Sequence, residues 1–304
     1  MKQLAAALLG VALLLPCAHA HATLAEGLAA YRQGDYATAL KFWQPLADKG
    51  DADAQNNIGV LYEKGQGVQR DFARAATWYR RAAEQGHAQA QNNLGVIFEK
   101  GMGVKPDFGQ AAEWYRRAAE RRNANAQNNL GVLYFRGAGV QQDYQQAMAW
   151  YRRAAAQDNG NAQNNIGVLF ERGLGVQQNH AEAAQWYRRA AERGHAQAQN
   201  NLGVLYEKGL GVPADAAVAA NWYRSAAEQG HAQAQNNLGV LYGNGRGVSQ
   251  DLAQSYVWFT LSAARGNQDA AKNREFADRR LSPEQREQAQ KIITAWRPKV
   301  TEVR

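Results

Sequence analysis

A twelve-residue segment that recurs at a fixed interval constrains the fold of this chain more than any other feature. The segment AQNNIGVLYEKG begins at Ala54, and a close copy begins at every thirty-sixth residue after it, as far as Ala234. A second segment, DFARAATWYRRAAEQG from Asp71, recurs with the same period and ends as the looser DLAQSYVWFTLSAARG from Asp251. A period in this range predicts an array in which each unit buries its apolar surface only against its neighbours.

Each unit is predicted to form two helices. In the first helix, Leu61 and Tyr62 fall within about 60° of Ile58 at 100° per residue, so they form one apolar stripe. Gly65 is predicted to end this helix in the left-handed conformation. The second helix is predicted to begin at Asp71, because its carboxylate can accept hydrogen bonds from the free amides of the first turn. Every later unit has Asp or Asn at that position.

The second helix also has an apolar face, which is built from alanines around one tyrosine. Tyr79 shares this face with Ala75 and Ala82, and small residues let neighbouring helices approach closely. We therefore expect Tyr62 and Tyr79 to be buried where the helices meet. Trp78 is expected on the flank of the helix where the next unit arrives, and Arg81 is expected to point to solvent.

The two segments together resemble the Sel-1-like repeat of the tetratricopeptide repeat superfamily. The matching pattern is A-Q-x-N-L-G-x-L-Y-x-x-G-x-G-V followed by D-x-x-x-A-x-x-W-Y-x-x-A-A-x-x-G, and it covers residues 51–266 as six units. The resemblance implies a right-handed superhelical solenoid of two-helix repeats. It also implies that the first helices line a concave groove that binds protein partners. Likeness of fold does not by itself establish function.

The segments on either side of the six units are predicted to be helical as well. Residues 23–50 resemble a shorter helix pair of the tetratricopeptide type, and residues 267–304 resemble the capping helices that end such arrays. In the second segment, Ser282 and Gln285 have the spacing of a capping box at the start of the last helix. A repeat array needs no internal boundary, so we predict one continuous domain from residue 23 onward.

The first 22 residues have the pattern of a cleaved secretory signal peptide. An early lysine precedes the apolar run Leu4–Leu15, and small residues then allow cleavage after Ala20 or Ala22. We therefore expect export across the inner membrane to the periplasm. The only cysteine, Cys17, could instead be lipid-modified, although Pro16 stands where the lipobox motif has a small residue. The cleaved chain would have no disulfide and no thiol nucleophile.

The polar residues of the repeats do not form a catalytic or metal-binding pattern. His195 and His231 are one period apart, which is too far to share a metal ion at about 2.1 Å. Some relatives bind or hydrolyse β-lactams, but this chain lacks the disulfide-linked cysteines of that branch and has no Ser-x-x-Lys motif. The net charge of +8 is spread as arginine pairs along the repeats, which argues against nucleic acid. We expect no enzyme activity, metal or cofactor.

Asparagine occupies the side of the first helix opposite the apolar stripe in all six units. Asparagine is a mediocre helix former, so its repetition requires either a function or recent duplication. Its amide both donates and accepts hydrogen bonds, as an extended peptide backbone requires, and a valine four residues later would add an apolar floor. The predicted partner-binding residues are Asn56, Val60, Asn92, Val96, Asn128, Val132, Asn164, Val168, Asn200, Val204, Asn236 and Val240. The adjacent Asn57 and its equivalents are predicted to bond to a loop or a neighbouring helix.

These observations predict an exported, monomeric scaffold or adaptor that binds a protein or peptide partner of the cell envelope in its groove. The alternative is a surface that binds an acidic envelope polymer or an anionic membrane. That surface would be a convex arginine stripe on the second helices. Its members would be Arg81, Arg117, Arg153 and Arg189. Alternating exposed charges that only keep the protein soluble would explain the same residues.

Overall fold

A computed structural model describes the backbone of residues 15–299 and the side chains of residues 23–299. The predicted signal peptide, residues 1–22, lies outside the described side chains, and residues 1–14 lie outside the described backbone as well. Sixteen α-helices and no strand occur within residues 15–299, which confirms the all-α fold class. None of these helices combines the length and the apolar character that crossing a membrane requires.

The first compact unit spans residues 1–142, and its described residues, 15–142, form seven helices, each packed against the next. Their bounds are α1 Leu15–Arg32, α2 Tyr36–Asp48, α3 Ala52–Lys64, α4 Phe72–Glu84, α5 Ala88–Lys100, α6 Phe108–Glu120 and α7 Ala124–Arg136. We call α3, α5 and α7 first helices, since they carry the AQNN segment, and α4 and α6 second helices.

The second compact unit spans residues 143–304 and contains nine helices within the described residues. Their bounds are α8 Tyr144–Ala155, α9 Gly160–Arg172, α10 His180–Glu192, α11 Ala196–Lys208, α12 Ala216–Glu228, α13 Ala232–Asn244, α14 Leu252–Ala263, α15 Gln268–Asp278 and α16 Pro283–Ala295. The first helices here are α9, α11 and α13, and α15 follows α13 in the same row without the AQNN segment. The second helices are α8, α10, α12 and α14. The last helix, α16, packs on α14.

The ends of the helices follow from local chemistry and confirm the sequence-based predictions. Gly65 ends α3 with a left-handed φ of 68°, and its amide donates to the carbonyl of Leu61. At the start of α4, the Asp71 carboxylate accepts from the backbone amide of Arg74 at 2.9 Å. A side-chain cap of the same kind begins each of the other five second helices. The predicted capping box of Ser282 begins α16.

A tyrosine on each of the second helices α4, α6, α10 and α12 lies directly against a glycine on its first helix. Tyr115 is fully buried, and a Cβ atom placed on Gly95 would lie 2.6 Å from two of its ring atoms. The glycine weakens the helix but lets the ring lie against the backbone. The same close approach joins Gly59 to Tyr79, Gly167 to Tyr187 and Gly203 to Tyr223.

The sequence predicted that Tyr62 and Tyr79 are both buried, and the structure confirms this for Tyr79 only. Tyr79 has no exposed surface, as predicted. Tyr62 is only half-buried, so the prediction is wrong for this residue. Tyr62 lies in the last turn of α3, where its neighbours are the loop residues Val68 and Arg70 and the first turn of α4. A loop covers less of a ring than a packed helix does, and the Arg74 guanidinium lies over the Tyr62 ring at 5.6 Å.

Candidate functional site

The first asparagine of each AQNN segment is buried, although the sequence pattern placed it on the open side of the helix. The exposed fractions of these six residues lie between 4% and 8%. The expectation that they are accessible is therefore wrong for Asn56, Asn92, Asn128, Asn164, Asn200 and Asn236. The helical projection considered packing within one repeat only, whereas the first helix of the next repeat approaches this side. The open stripe lies about 50° further around the helix, as judged at 100° per residue.

The two asparagines of each segment connect neighbouring repeats through their side-chain amides. In the first unit, Asn93 Nδ2 donates to Asn56 Oδ1 at 3.3 Å, and Asn129 Nδ2 donates to Asn92 Oδ1 at 3.2 Å. In the second unit, the same bond at 3.0–3.1 Å joins Asn201 to Asn164, Asn237 to Asn200 and Asn273 to Asn236. We call these bonds the amide ladder. They confirm the prediction that the second asparagine bonds to a neighbouring helix.

The buried tyrosines extend this hydrogen-bonded network. The Tyr115 hydroxyl donates to Glu99 at 2.6 Å, and the Tyr223 hydroxyl donates to Glu207 at 2.7 Å. Burial, followed by the bond to the glutamate, raises the pKa of these tyrosines far above its usual value, so the hydroxyls stay protonated. Tyr79 and Tyr187 make the same bond to Glu63 and Glu171. In these four repeats the first helix is thereby fixed to its own second helix at the edge of the amide ladder.

The histidines at the joins between repeats act as helix caps. His195 Nδ1 accepts from the amide of Ala198 at 3.2 Å, while its Nε2 lies 3.0 Å from Oδ1 of Asn161 in the preceding repeat. Accepting through Nδ1 requires the neutral ring with its proton on Nε2. Burial, with a smaller effect of His231, lowers the pKa of His195 and favours this neutral form. Among the described residues, no three potential metal ligands cluster.

The accessible side of each first helix is a stripe formed by the second asparagine, the valine three residues later and the basic residue near the helix end. In α3 these are Asn57 and Val60, both half-buried, and the exposed Lys64. We call this stripe the first-helix face. The six valines predicted to contact the partner are half-buried: Val60, Val96, Val132, Val168, Val204 and Val240. The basic residues are Lys64, Lys100 and Arg136 in the first unit, and Arg172 and Lys208 in the second.

The second asparagines and the basic residues were not predicted from the sequence as parts of the accessible face. Their spacing carried the signal, because positions 57, 60 and 64 recur at intervals of three and four residues on one side of a helix. Counting the contact with the neighbouring repeat as a second buried side would have separated Asn57 from Asn56. The amide of Asn93 is also oriented by Gln89, whose Nε2 donates to Asn93 Oδ1 at 2.8 Å.

The predicted arginine stripe lies on the second helices, where each arginine is exposed and stacks on the tryptophan three residues earlier. The Arg81 guanidinium lies 4.5 Å from the centroid of the Trp78 ring in α4. The equivalent pairs in α6, α8 and α10 are 4.3–4.6 Å apart. Arg117 also forms an ion pair with Glu113 at 3.0 Å on its own helix. The stacking fixes each guanidinium while leaving it accessible to solvent.

Two-helix repeats that bond mainly to their neighbours define an α-helical repeat solenoid. A family model described as the Sel1 repeat matches seven segments: 19–51, 52–87, 88–123, 124–159, 160–195, 196–231 and 232–267. The chain therefore belongs to the Sel1 repeat family. Proteins of this family generally act as scaffolds for protein interactions, and the family is typically non-catalytic. The first matched segment contains the helix pair that the sequence analysis described as a shorter tetratricopeptide-like pair.

Solved structures support the same family. A Sel1 repeat protein from Oxalobacter formigenes is 36% identical, with a TM-score of 0.74 over 79% of this chain and 96% of that chain. A protective antigen of uropathogenic Escherichia coli strains, described as displaying an SLR fold, is 28% identical, with a TM-score of 0.56 over 91% and 76%. An immunity protein from Pseudomonas aeruginosa, at 20% identity and a TM-score of 0.50, covers 71% and 81% and shares the fold. No curated protein sequence matches the chain.

Proposed function

We propose that this protein is exported and binds an extended segment of a protein partner across its first-helix face. The observation that carries the proposal is the uniform chemistry of that face. In each unit of the structure, successive first helices present an oriented amide, a half-buried valine and, with one exception at Asn244, a cation. Val168, Val204 and Val240 also pack against the hydrophobic core beside the next first helix, and each keeps part of its surface exposed for a partner.

The amide ladder prepares the face for binding. Asn93 is held from two sides, by its bond to Asn56 and by the bond from Gln89, so its amide has little rotational freedom left to lose. A side chain that is already ordered costs less entropy when a partner binds it. The buried asparagines predicted to contact the partner, such as Asn56, therefore contribute by holding Asn93 and its equivalents. The valines contact the partner directly.

The charge of the face favours a partner segment with acidic side chains. Lys64, Lys100 and Arg136 are exposed on the first helices of the first unit, and Arg172 and Lys208 on those of the second. Charge complementarity at the edge of an interface mainly raises the association rate and selects among partners. We therefore expect binding that slows at high ionic strength but is not abolished, since the valine floor is insensitive to salt.

Capture of a partner from the cell envelope tests the proposal. The tagged mature protein, purified from its own cells, is compared with the variant V60K/V96K/V132K. Lysine is a good helix former that can extend into solvent, so the fold should be retained. Loss of three valine contacts, at about 1 kcal/mol each, should weaken a captured protein about 100-fold. A variant that captures as well as the unmodified protein would contradict the proposal.

The arginine and tryptophan stacks support a second candidate, which is binding of an acidic envelope polymer to the second helices. Arg81 and Arg117 in the first unit are the matched residues for this test. The variant R81A/R117A should capture the protein partner normally if the first-helix face binds it. The polymer would be favoured instead if the unmodified protein and the valine variant both recover polysaccharide that salt releases, while R81A/R117A recovers none.

Export is tested independently of partner binding. Amino-terminal sequencing of the envelope-derived protein should find a chain that begins at His21 or Thr23. A chain that starts at a lipid-modified Cys17 would contradict the proposed processing, and so would an uncleaved chain that stays in the cytoplasm.

A further inference from the structure

The last complete repeat of the second unit departs from its neighbours beside the first-helix face. In α11 and α12, the Tyr223 hydroxyl donates to Glu207. In α13 and α14, Gly243 stands in place of that glutamate and Phe259 in place of that tyrosine. Both halves of the pair are therefore absent from this repeat.

A cavity of about 170 Å³ lies at this position, between α13, α14 and α15. Its lining includes Val240, Gly243, Phe259, Phe276 and Arg280. Val240 belongs to the first-helix face, so the cavity opens onto the surface that we propose for partner binding. This repeat thus has an accessible cavity where the preceding repeat has an internal hydrogen bond.

The size of the cavity suits one apolar side chain. An engineered apolar cavity of about 150 Å³ is large enough to hold benzene, whereas pockets for drug-sized ligands begin at about 300 Å³. Phe276, which lines the cavity, exposes 59% of its surface and is the most exposed of the large apolar residues described. An occupant that covers this ring would remove apolar surface from water, which is favourable.

The rim of the cavity carries a positive charge that has no anionic partner within the described residues. The Arg280 guanidinium lies 3.7 Å from the centroid of the Phe276 ring, which fixes it beside the opening. The nearest acidic residue in sequence, Asp278, is paired with Arg286 at 2.8 Å. Guanidinium groups bind carboxylates strongly through two parallel hydrogen bonds. The rim can therefore receive a carboxylate next to the apolar occupant.

We propose that this cavity binds the carboxy-terminal residue of the partner segment, with its apolar side chain inside and its α-carboxylate on Arg280. This inference rests on the proposed function of the first-helix face. The row of first helices in the second unit ends at α15 within the described residues, because α16 packs on α14. A chain that lies along the row reaches the last position of the row here. The charge of Arg280 favours a carboxylate end and repels an amino end.

Small probes test the site without knowledge of the partner. N-acetyl-leucine carries both features, N-acetyl-leucinamide lacks the carboxylate, and N-acetyl-alanine lacks most of the side chain. Titration into ¹⁵N-labelled protein should shift the amide resonances of Gly243 and Ala277 with N-acetyl-leucine. The alanine probe should bind at least about tenfold more weakly, because three carbon atoms are missing from the cavity. Equal binding of the acid and the amide would overturn the role of Arg280.

A matched variant restores the regular repeat. In G243E/S255A/F259Y, the glutamate and tyrosine re-form the pair seen at Glu207 and Tyr223, while the alanine removes the Ser255 hydroxyl that lies 3.0 Å from a Cβ on Gly243. The variant should fold at least as stably as the unmodified protein and lose the response to N-acetyl-leucine. An undiminished response in this filled variant would refute the cavity as the binding site.

The probe titrations and the partner capture together distinguish this inference from the proposed function. A second variant, R280Q, should reduce the affinity for N-acetyl-leucine to that for N-acetyl-leucinamide while leaving the melting temperature unchanged. If N-acetyl-leucine causes no shifts but V60K/V96K/V132K still loses its partner, the cavity inference is wrong and the first-helix face remains. If the probe binds as described but the valine variant keeps its partner, the cavity is a binding site and the proposed face is wrong.

Discussion

The close contact between Gly95 and Tyr115 predicts that G95A destabilises the protein when Tyr115 is present and stabilises it when Tyr115 is replaced by alanine. In an exposed helix, replacing glycine by alanine stabilises by about 1 kcal/mol. At Gly95 the new Cβ atom would lie 2.6 Å from the Tyr115 ring, which is fully buried and held by its bond to Glu99. Overpacking of this kind costs about 1–3 kcal/mol. Because the ring cannot move away, we take the upper end and expect a net loss of about 2 kcal/mol for G95A.

A double-mutant cycle isolates the contact. The variant Y115A should lose about 3–5 kcal/mol on its own, because it leaves a cavity. In that background the obstacle is gone, so adding G95A should now stabilise by about 1 kcal/mol. The two backgrounds would then differ by about 3 kcal/mol, which lies at the upper end for residues in direct contact.

Urea unfolding followed by circular dichroism measures these changes, with G109A as the control. Gly109 lies in the exposed first turn of α6, where an added Cβ atom meets only the Asp107 carboxylate at 3.3 Å. This control should be neutral or stabilising. If G95A stabilised the protein in both backgrounds, the ring would not require the glycine, and the explanation of the repeated Gly and Tyr positions would be wrong.

Two further predictions concern the joins between repeats. Gln163 Oε1 is buried without a hydrogen-bond partner among the described residues, whereas Gln229 donates to the equivalent oxygen one repeat later at 2.8 Å. The variant R193Q should supply the missing donor and raise the free energy of unfolding by about 1 kcal/mol, measured in urea. Burial lowers the pKa values of His195 and His231. Their neutral forms therefore stabilise the fold above the unfolded pKa of about 6.5, and this contribution is lost as the pH falls through the folded pKa. The melting temperature should drop between about pH 7 and pH 5, and less so in H195N/H231N; an equal drop would contradict the capping role.

The local features of the fold could be predicted because local physics determines them. The period set the number of helix pairs, Gly65 and Asp71 set helix ends, and Ser282 set the last helix. Each depends on backbone conformation and on hydrogen bonds within a few residues. The side on which Asn56 lies could not be read in this way. It depends on where the next repeat approaches, which is a tertiary property.

The candidate site was predicted in part for the same reason. The valines, such as Val60, remain half-exposed, although Val168 and Val204 also pack against the core beside the next first helix. The asparagines lie at the boundary between two repeats, where a shift of one residue exchanges a buried position for an open one. The cavity left a sequence signal that was not used, because Gly243 and Phe259 both depart from the repeat pattern at paired positions.

Site-specific photocrosslinking tests the central claim, which is that the partner lies on the first-helix face. A photoreactive phenylalanine analogue is placed at Val96 or Val132 on first helices, or at Arg81 or Arg117 on second helices, and the protein is irradiated in the envelope extract. We expect crosslinks to one partner protein from both valine positions and none from the arginine positions. Crosslinks from the arginine positions alone would contradict it and place the binding surface on the second helices.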